Sequence, residues 1–101
     1  MERPLTEYRF LHRLAELPFV QAIWLFGSRA RGTARERSDI DLAILCPEAT
    51  VLDWDRVMQI VEEADTLLEI DAVRFDRLPV HTSLHDSILR DRRILFERVP
   101  A

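Results

Sequence analysis

The sequence predicts an α/β (α+β) fold in a single domain, residues 1–101, with a small mixed sheet of about four strands covered by helices. Three observations carry this. The chain has 101 residues, the size of one hydrophobic core rather than two. Its composition, 48% hydrophobic and 32% charged, is that of a globular chain and not of a disordered one. Its apolar residues switch repeatedly between helical and strand spacing, in the order helix, strand, short helix, strand, helix, strand, helix, strand. There is no internal repeat, low-complexity tract or linker.

Each element has its own signal. Leu5, Tyr8, Leu11, Leu14 and Ala15 recur at helical spacing and Pro18 ends the run, predicting a helix over 5–17. Residues 20–26, VQAIWLF, are β-branched and aromatic and stop at Gly27, as a mostly buried strand does. A polar, arginine-rich stretch follows from Ser28 to Ser38, opening with one or two turns of helix. From Asp39 the pattern alternates, with Asp39, Asp41 and Ala43 on one face and Ile40, Leu42 and Ile44 on the other. Pro47 ends this strand after Cys46.

Trp54, Val57, Met58, Val61, Ala64 and Leu68 form one stripe of a long helix over 51–68, started by Thr50 or Asp53. Leu52, Ile60 and Leu67 lie off that stripe. Residues 69–75 return to strand, with Glu69, Asp71, Val73 and Phe75 on one face and Ile70, Ala72 and Arg74 on the other. Pro79 suits the first turn of a last helix through Val80, Leu84 and Ile88, and RRILFE (92–97) is a closing strand. Trp24, Phe26, Trp54, Phe75 and Phe96 fall at core positions.

Charge and cysteine usage exclude several classes. Fourteen cations, all arginine, stand against eighteen acids for a net charge of -4, so the broad basic footprint of a protein that binds long nucleic acid is missing. One cysteine, Cys46, makes no internal disulfide. The N-terminus has no apolar leader, and the apolar run AIWLF (22–26) is far short of the ~18 residues that span a bilayer. The expectation is a cytoplasmic protein without a membrane segment.

Chemistry concentrates between residues 27 and 71. Gly27-Ser28 follows a strand and opens a helical turn, where backbone N–H groups and a hydroxyl can meet a phosphate, and glycine, lacking Cβ, permits close approach. By itself the pair is more often a tight turn with a serine cap, so context must decide. Asp39 and Asp41, two apart on a strand, project from the same face, and like charges that close repel unless a cation sits between them. Mg²⁺ suits such a pair, because it takes one or two carboxylates together with substrate phosphates. The acids occupy the start of the strand, whose same face turns apolar at Ala43 and Leu45, as at a site on a sheet edge rather than on a uniformly solvated strand. Asp71, or Glu69 on the same face, supplies a third carboxylate from a later strand. Three carboxylates from two strands can bind two metal ions for an in-line phosphoryl-type transfer. Arg29, Arg31, Arg35 and Arg37, against the single acid Glu36, make a local basic patch suited to phosphate. Arg29 and Arg31 flank the glycine turn most closely.

Read together, GSRARGTARERSDIDLAI resembles the polymerase-β-like nucleotidyltransferase superfamily, and most closely its minimal nucleotidyltransferase (MNT) members. Gly27-Ser28, ten intervening residues and Asp39-Ile40-Asp41 match the family spacing, and the strand ending in LFGSRARG is similar too. The resemblance extends over nearly the whole chain. It puts the third acid at Asp71 in LLEIDAVRF, and it departs where Arg92 stands in place of a glycine between the last helix and strand, beside Asp91.

The resemblance implies two Mg²⁺ ions on Asp39, Asp41 and Asp71. It further implies nucleotide phosphates at Gly27, Ser28, Arg29 and Arg31, with Asp71 assisting an incoming hydroxyl. AMP then passes from ATP to the acceptor and pyrophosphate leaves. Larger relatives carry an acceptor-binding domain that 101 residues do not accommodate, so a partner protein is expected to bring the acceptor. Minimal members are typically encoded with a HEPN-family toxin and some transfer AMP to its tyrosine. The expectation is therefore an antitoxin that modifies its HEPN partner in a hetero-oligomer, with neutralisation by binding and occlusion as the alternative. His81 and His85, four apart, lack the remaining ligands of a zinc site. His12 carries no signal, and Cys46 reads as a small buried hydrophobe.

Overall fold

A computed structural model of the chain describes residues 4–35 and 38–99. Its elements are α1 (Arg9–Glu16), β1 (Ala22–Phe26), α2 (Gly27–Arg31), β2 (Ile40–Leu45), α3 (Val51–Glu62), β3 (Ile70–Arg74), α4 (Ser83–Asp91) and β4 (Arg93–Glu97), with 3₁₀ turns at Leu5–Glu7 and Phe75–Arg77. The four strands form one mixed sheet in the order β3-β2-β1-β4. β1 runs antiparallel to both β2 and β4, while β2 and β3 are parallel. The C-terminal end of β1 and the N-terminal ends of β2 and β3 therefore share one edge.

Both faces of the sheet are covered. On one, Ile23 and Leu25 of β1 and Ile40, Leu42 and Ile44 of β2 pack with Phe10, Leu11 and Leu14 of α1 and Val57, Ile60 and Val61 of α3. On the other, Ala22, Trp24, Phe26 and Ala43 meet Ile88 of α4, with Val73, Phe75 and Leu78 beside them. This accounts for the two patterns seen in the sequence: β1 is apolar throughout because it is buried on both faces. β2 alternates only at its start, and Ala43 on the acidic face is fully buried.

Several boundaries differ from the sequence expectation. The helix expected over 5–17 breaks at Tyr8, whose backbone is extended (φ -72°, ψ 134°). α1 begins there because the Asp65 carboxylate, from a distant loop, accepts from Arg9 N (3.0 Å) and Phe10 N (3.1 Å), supplying the oxygen that orphan N–H groups at a helix start require. The helix expected over 51–68 stops at Glu62 for the same reason, since Asp65 is recruited away and Thr66 Oγ accepts from Leu68 N at 3.1 Å. Its start uses both expected residues at once. Thr50 Oγ accepts from Asp53 N, and Asp53 accepts from Thr50 N, forming a reciprocal cap. Ile60, off the expected stripe, is buried, whereas Leu52 and Leu67 are exposed.

The last helix begins at Ser83 rather than at Pro79, capped by Thr82. His81 takes a left-handed conformation (φ 66°) ahead of it, so His81 and His85 do not share a helix. Val80 and Leu84 are exposed, leaving Ile88 as the residue of α4 that is buried. Phe75 belongs to a 3₁₀ turn and not to β3, but it remains on the expected face, packed edge-on against Trp24 with ring centroids 4.9 Å apart. Arg92, at the position the family pattern gives to glycine, has an ordinary extended backbone (φ -56°, ψ 143°) and lies over the Trp24 ring at 4.4 Å.

Candidate active site

The shared sheet edge gathers the predicted residues. β1 runs straight into α2 at Phe26–Gly27, and Gly27 has φ +73°. A Cβ at Gly27 would collide with the carboxylate oxygen Oδ2 of Asp41 and lie 3.1 Å from its Cγ. Glycine is thus required twice over, by the left-handed backbone and by the carboxylate packed against it. The close approach expected for a phosphate is made by the chain's own aspartate. Ser28 sits inside α2 rather than at its cap, and no side chain caps that helix. Its carbonyl accepts from Thr33 N at 2.9 Å, while Gly32 closes the helix in a left-handed conformation (φ 78°).

Asp41 and Asp71 are register partners on adjacent parallel strands, which places them roughly 4.8 Å apart along the hydrogen-bonding direction with side chains on the same face. Asp39, one residue ahead of β2, is exposed, as is Asp71, while Asp41 is half-buried. Asp41 is held above the ordinary carboxylate pKa of 3.8, first by burial, then by the negative charges of Asp71 and Asp39. Arg31 and Arg29 oppose the rise. Asp71 is therefore the acid that registers with Asp41. Glu69 instead lines a groove of about 380 Å³ with Asp39, Leu67 and Leu68, and its carbonyl accepts from Ile40 N at 2.9 Å.

The arginines divide. Arg31 is half-exposed and reaches Asp91 of α4 at 3.5 Å; the Asp91 carboxyl is held below its ordinary range by its hydrogen bond from Arg90 first, with Arg31 adding to it. Arg29 turns toward the segment entering β2. Its Nη2 donates to Ser38 O at 2.7 Å, and its Nε to Ser38 O and Asp39 O at 3.1 and 3.3 Å. Arg35 N donates to Ser38 Oγ at 2.8 Å. Glu36 and Arg37, the rest of the basic patch, lie outside the described residues.

The donor set suits a hard divalent cation. It consists of carboxylate oxygens whose mutual repulsion already disfavours the charged form of Asp41, and an intervening cation relieves that repulsion. Among the described residues, no group of three His, Cys, Asp or Glu side chains forms a ready-made metal site. A cation here would draw further ligands from a bound phosphate or water, as Mg²⁺ commonly does. No described helix is long and apolar enough to cross a membrane.

Sequence reasoning missed the Asp65 cap, the Arg29 contacts and a network around Asp76. Asp76 accepts from Cys46 N at 2.8 Å and from Arg74 Nε at 3.0 Å. Arg74 Nη2 in turn donates to Cys46 O and Ala49 O at 3.0 and 2.8 Å. These bonds tie the exit of β2 to the exit of β3, opposite the acidic edge. The only sequence signal for them was Arg74 at an inward strand position, two residues from an acid.

Comparison with known proteins bears on the family and the fold. The family model "Polymerase beta, Nucleotidyltransferase" matches residues 11–101. The probable protein adenylyltransferase MntA of Haemophilus influenzae is 40% identical over 50 residues, covering 48% of this chain and 44% of that protein. The protein adenylyltransferase MntA of Shewanella oneidensis is 29% identical over 73 residues, covering 69% of this chain and 52% of that protein. The chain spans about half the length of these curated relatives. Among solved structures, a toxin–antitoxin with AMP-PNP superposes with a TM-score of 0.64 at 24% identity, over 89% of this chain and 69% of that one. A mutant of the toxin–antitoxin MntA-HpeT gives 0.60 at 25% identity, over 89% and 68%. Since that family model spans residues 11–101, most of its length, the chain belongs to the polymerase beta nucleotidyltransferase family.

Proposed function

We propose that this domain carries out Mg²⁺-dependent transfer of AMP from ATP to a hydroxyl, a tyrosine of a HEPN-family toxin, and so serves as the antitoxin of a cytoplasmic hetero-oligomeric pair. One observation carries the reading: Asp41 and Asp71 are in register on parallel strands beside Asp39, with Gly27 backed directly against Asp41. The names of the two MntA relatives, one a protein adenylyltransferase and one a probable protein adenylyltransferase, and the toxin–antitoxin structures support the acceptor class.

In this reading Asp39, Asp41 and Asp71 hold two metal ions. When bound, these ions supply the positive charge that offsets negative charge developing on the phosphate oxygens. The chain's own groups do the rest. The turn at Gly27 and Ser28 seats the nucleotide phosphates, and Arg31, half-exposed beside the same edge, adds a cation for them. Asp71, the more exposed of the register pair, accepts the proton of the acceptor hydroxyl. The hydroxyl oxygen then bonds to the α-phosphorus of ATP. The bond from that phosphorus to the bridging oxygen breaks, and pyrophosphate leaves with the electron pair.

The test is to incubate the full-length protein with Mg²⁺, labelled ATP and the HEPN-family protein encoded with it, and to locate label by mass spectrometry. AMP on a partner tyrosine, lost in Asp41→Ala, is the expected result. If no partner residue is ever labelled, the transfer reading fails. If Asp41→Ala still protects cells from the partner in full, neutralisation is by occlusion.

A further inference from the structure

We infer that Arg29 is a positioning residue, which fixes the main chain bearing Asp39 and Asp41 rather than binding phosphate. The inference rests on the nucleotidyltransferase reading above. Among the described residues, the Arg29 guanidinium donates hydrogen bonds of 2.7 to 3.3 Å to the carbonyls of Ser38 and Asp39. These are the last two residues before β2 begins at Ile40.

The segment is pinned from other sides as well. Ser38 Oγ accepts from Arg35 N, Ser38 N donates to Arg35 O at 3.0 Å, and Ile40 N donates to Glu69 O of the neighbouring chain segment. Asp39 itself lies outside the strand ladder, so its direction depends on these contacts. Arg29 is the contact that springs from α2, the element carrying Gly27. It thereby couples the glycine turn to the first carboxylate. Its charge also acts on Asp41, opposing the rise in that carboxyl's pKa.

Chemically the clamp demands arginine. The planar guanidinium presents several N–H groups in a fixed fork and spans two successive carbonyls, whereas an ammonium is a compact point charge on a flexible stem. A donor engaged with main-chain carbonyls is also withheld from a phosphate. Outer groups that orient metal-binding carboxylates are worth about 10–100-fold in metal affinity or activity, which sets the size of the effect to expect.

The experiment compares the wild-type full chain with Arg29→Lys, Arg29→Gln and Arg31→Gln by three measurements. These are Mn²⁺ binding by calorimetry, amide hydrogen exchange over residues 38–41, and kcat and KM for ATP. Arg29→Gln should weaken Mn²⁺ binding by about tenfold and lower kcat by about 10–100-fold, with KM for ATP within about twofold of wild type. Exchange at Ile40 and Asp41 should accelerate. Arg29→Lys, which retains the charge, should not restore kcat, and Arg31→Gln should raise KM instead. A raised KM for ATP in Arg29→Gln with kcat, Mn²⁺ binding and exchange unchanged makes Arg29 a phosphate ligand and overturns the proposal. Full rescue by Arg29→Lys overturns it too, because charge and not the fork then suffices. Should the wild type label no acceptor, the transfer reading fails by itself, while exchange in Arg29→Lys still decides the positioning role.

Discussion

At Gly27 two separate requirements meet in one missing side chain, and Gly32 offers the comparison that separates them. Both have positive φ, but a Cβ at Gly32 would meet nothing within 4 Å. Gly32→Ala should therefore lose only the left-handed term, about 1–2 kcal/mol. Gly27→Ala should lose more in denaturant unfolding, and AMP transfer with it, because Asp41 must move. Equal losses in the two variants would show that Asp41 yields without resistance. The Gly-Ser spacing was legible in the sequence because it recurs with fixed distance to Asp-x-Asp. What Gly27 touches was not, since that depends on β1 and β2 being neighbours.

Asp41 gives a second contrast. Its folded-state pKa lies above the unfolded value of 3.8, so the native state binds protons more tightly than the unfolded chain and the ionised carboxylate opposes folding. That destabilisation is fully present above the folded pKa and fades as pH falls through it toward 3.8. In chelator at pH 7, Asp41→Asn should raise Tm, with the gain disappearing on acidification, while transfer is lost. Added Mg²⁺ should raise the Tm of wild type but not of Asp41→Asn. A variant that melts lower than wild type at pH 7 refutes the crowding account.

Among the elements, α4 and the β2 and β3 exits are held in opposite ways. α4 is seated by Ile88, fully buried against Trp24, Phe26 and Ala43, so Ile88→Ala should cost about 2–5 kcal/mol by transfer and cavity terms. The strand exits are held by the Arg74–Asp76 pair, both side chains about nine-tenths buried. Asp76→Ala leaves Arg74 and Cys46 N without that partner, a loss on the order of 3–5 kcal/mol for a broken buried pair. Equilibrium denaturation checks both, and little change in Asp76→Ala would show that Arg74 finds water instead. The sequence's periodicity was sufficient for the type and order of the four α-helices and four strands, because that signal is local, but not for the 3₁₀ turns at Leu5–Glu7 and Phe75–Arg77. Helix ends went astray where they answer to distant residues. Asp65 caps α1 from 55 residues away in sequence, and no local pattern announces it.

For the molecule as a whole, burial protects the one cysteine. Cys46 is fully buried, and its thiol is pushed up to about 11, by burial first and then by Asp76. Because the thiolate is the reactive form, native protein should resist alkylation at pH 7 and react on unfolding, with a rate that follows global stability. Rapid labelling under native conditions would mean that the β2–α3 connection opens locally. The sequence identified Cys46 as a buried hydrophobe from its place at a strand end, but its hydrogen-bonded surroundings arise only when β3 aligns beside β2.

That alignment also sets how the chain tolerates insertions. Asp41 and Asp71 meet because two parallel strands are in a particular phase, and side chains alternate faces with every residue. Lengthening the connection between α3 and β3 leaves the phase free to re-form. One residue inserted between Ile70 and Asp71, with Ile70 keeping its pairing to Ile40, puts the new residue at the acidic edge and points the Asp71 carboxylate into the α3 side of the core. Length drift in this chain is thus harmless in the loops and is read in parity, odd against even, within β3.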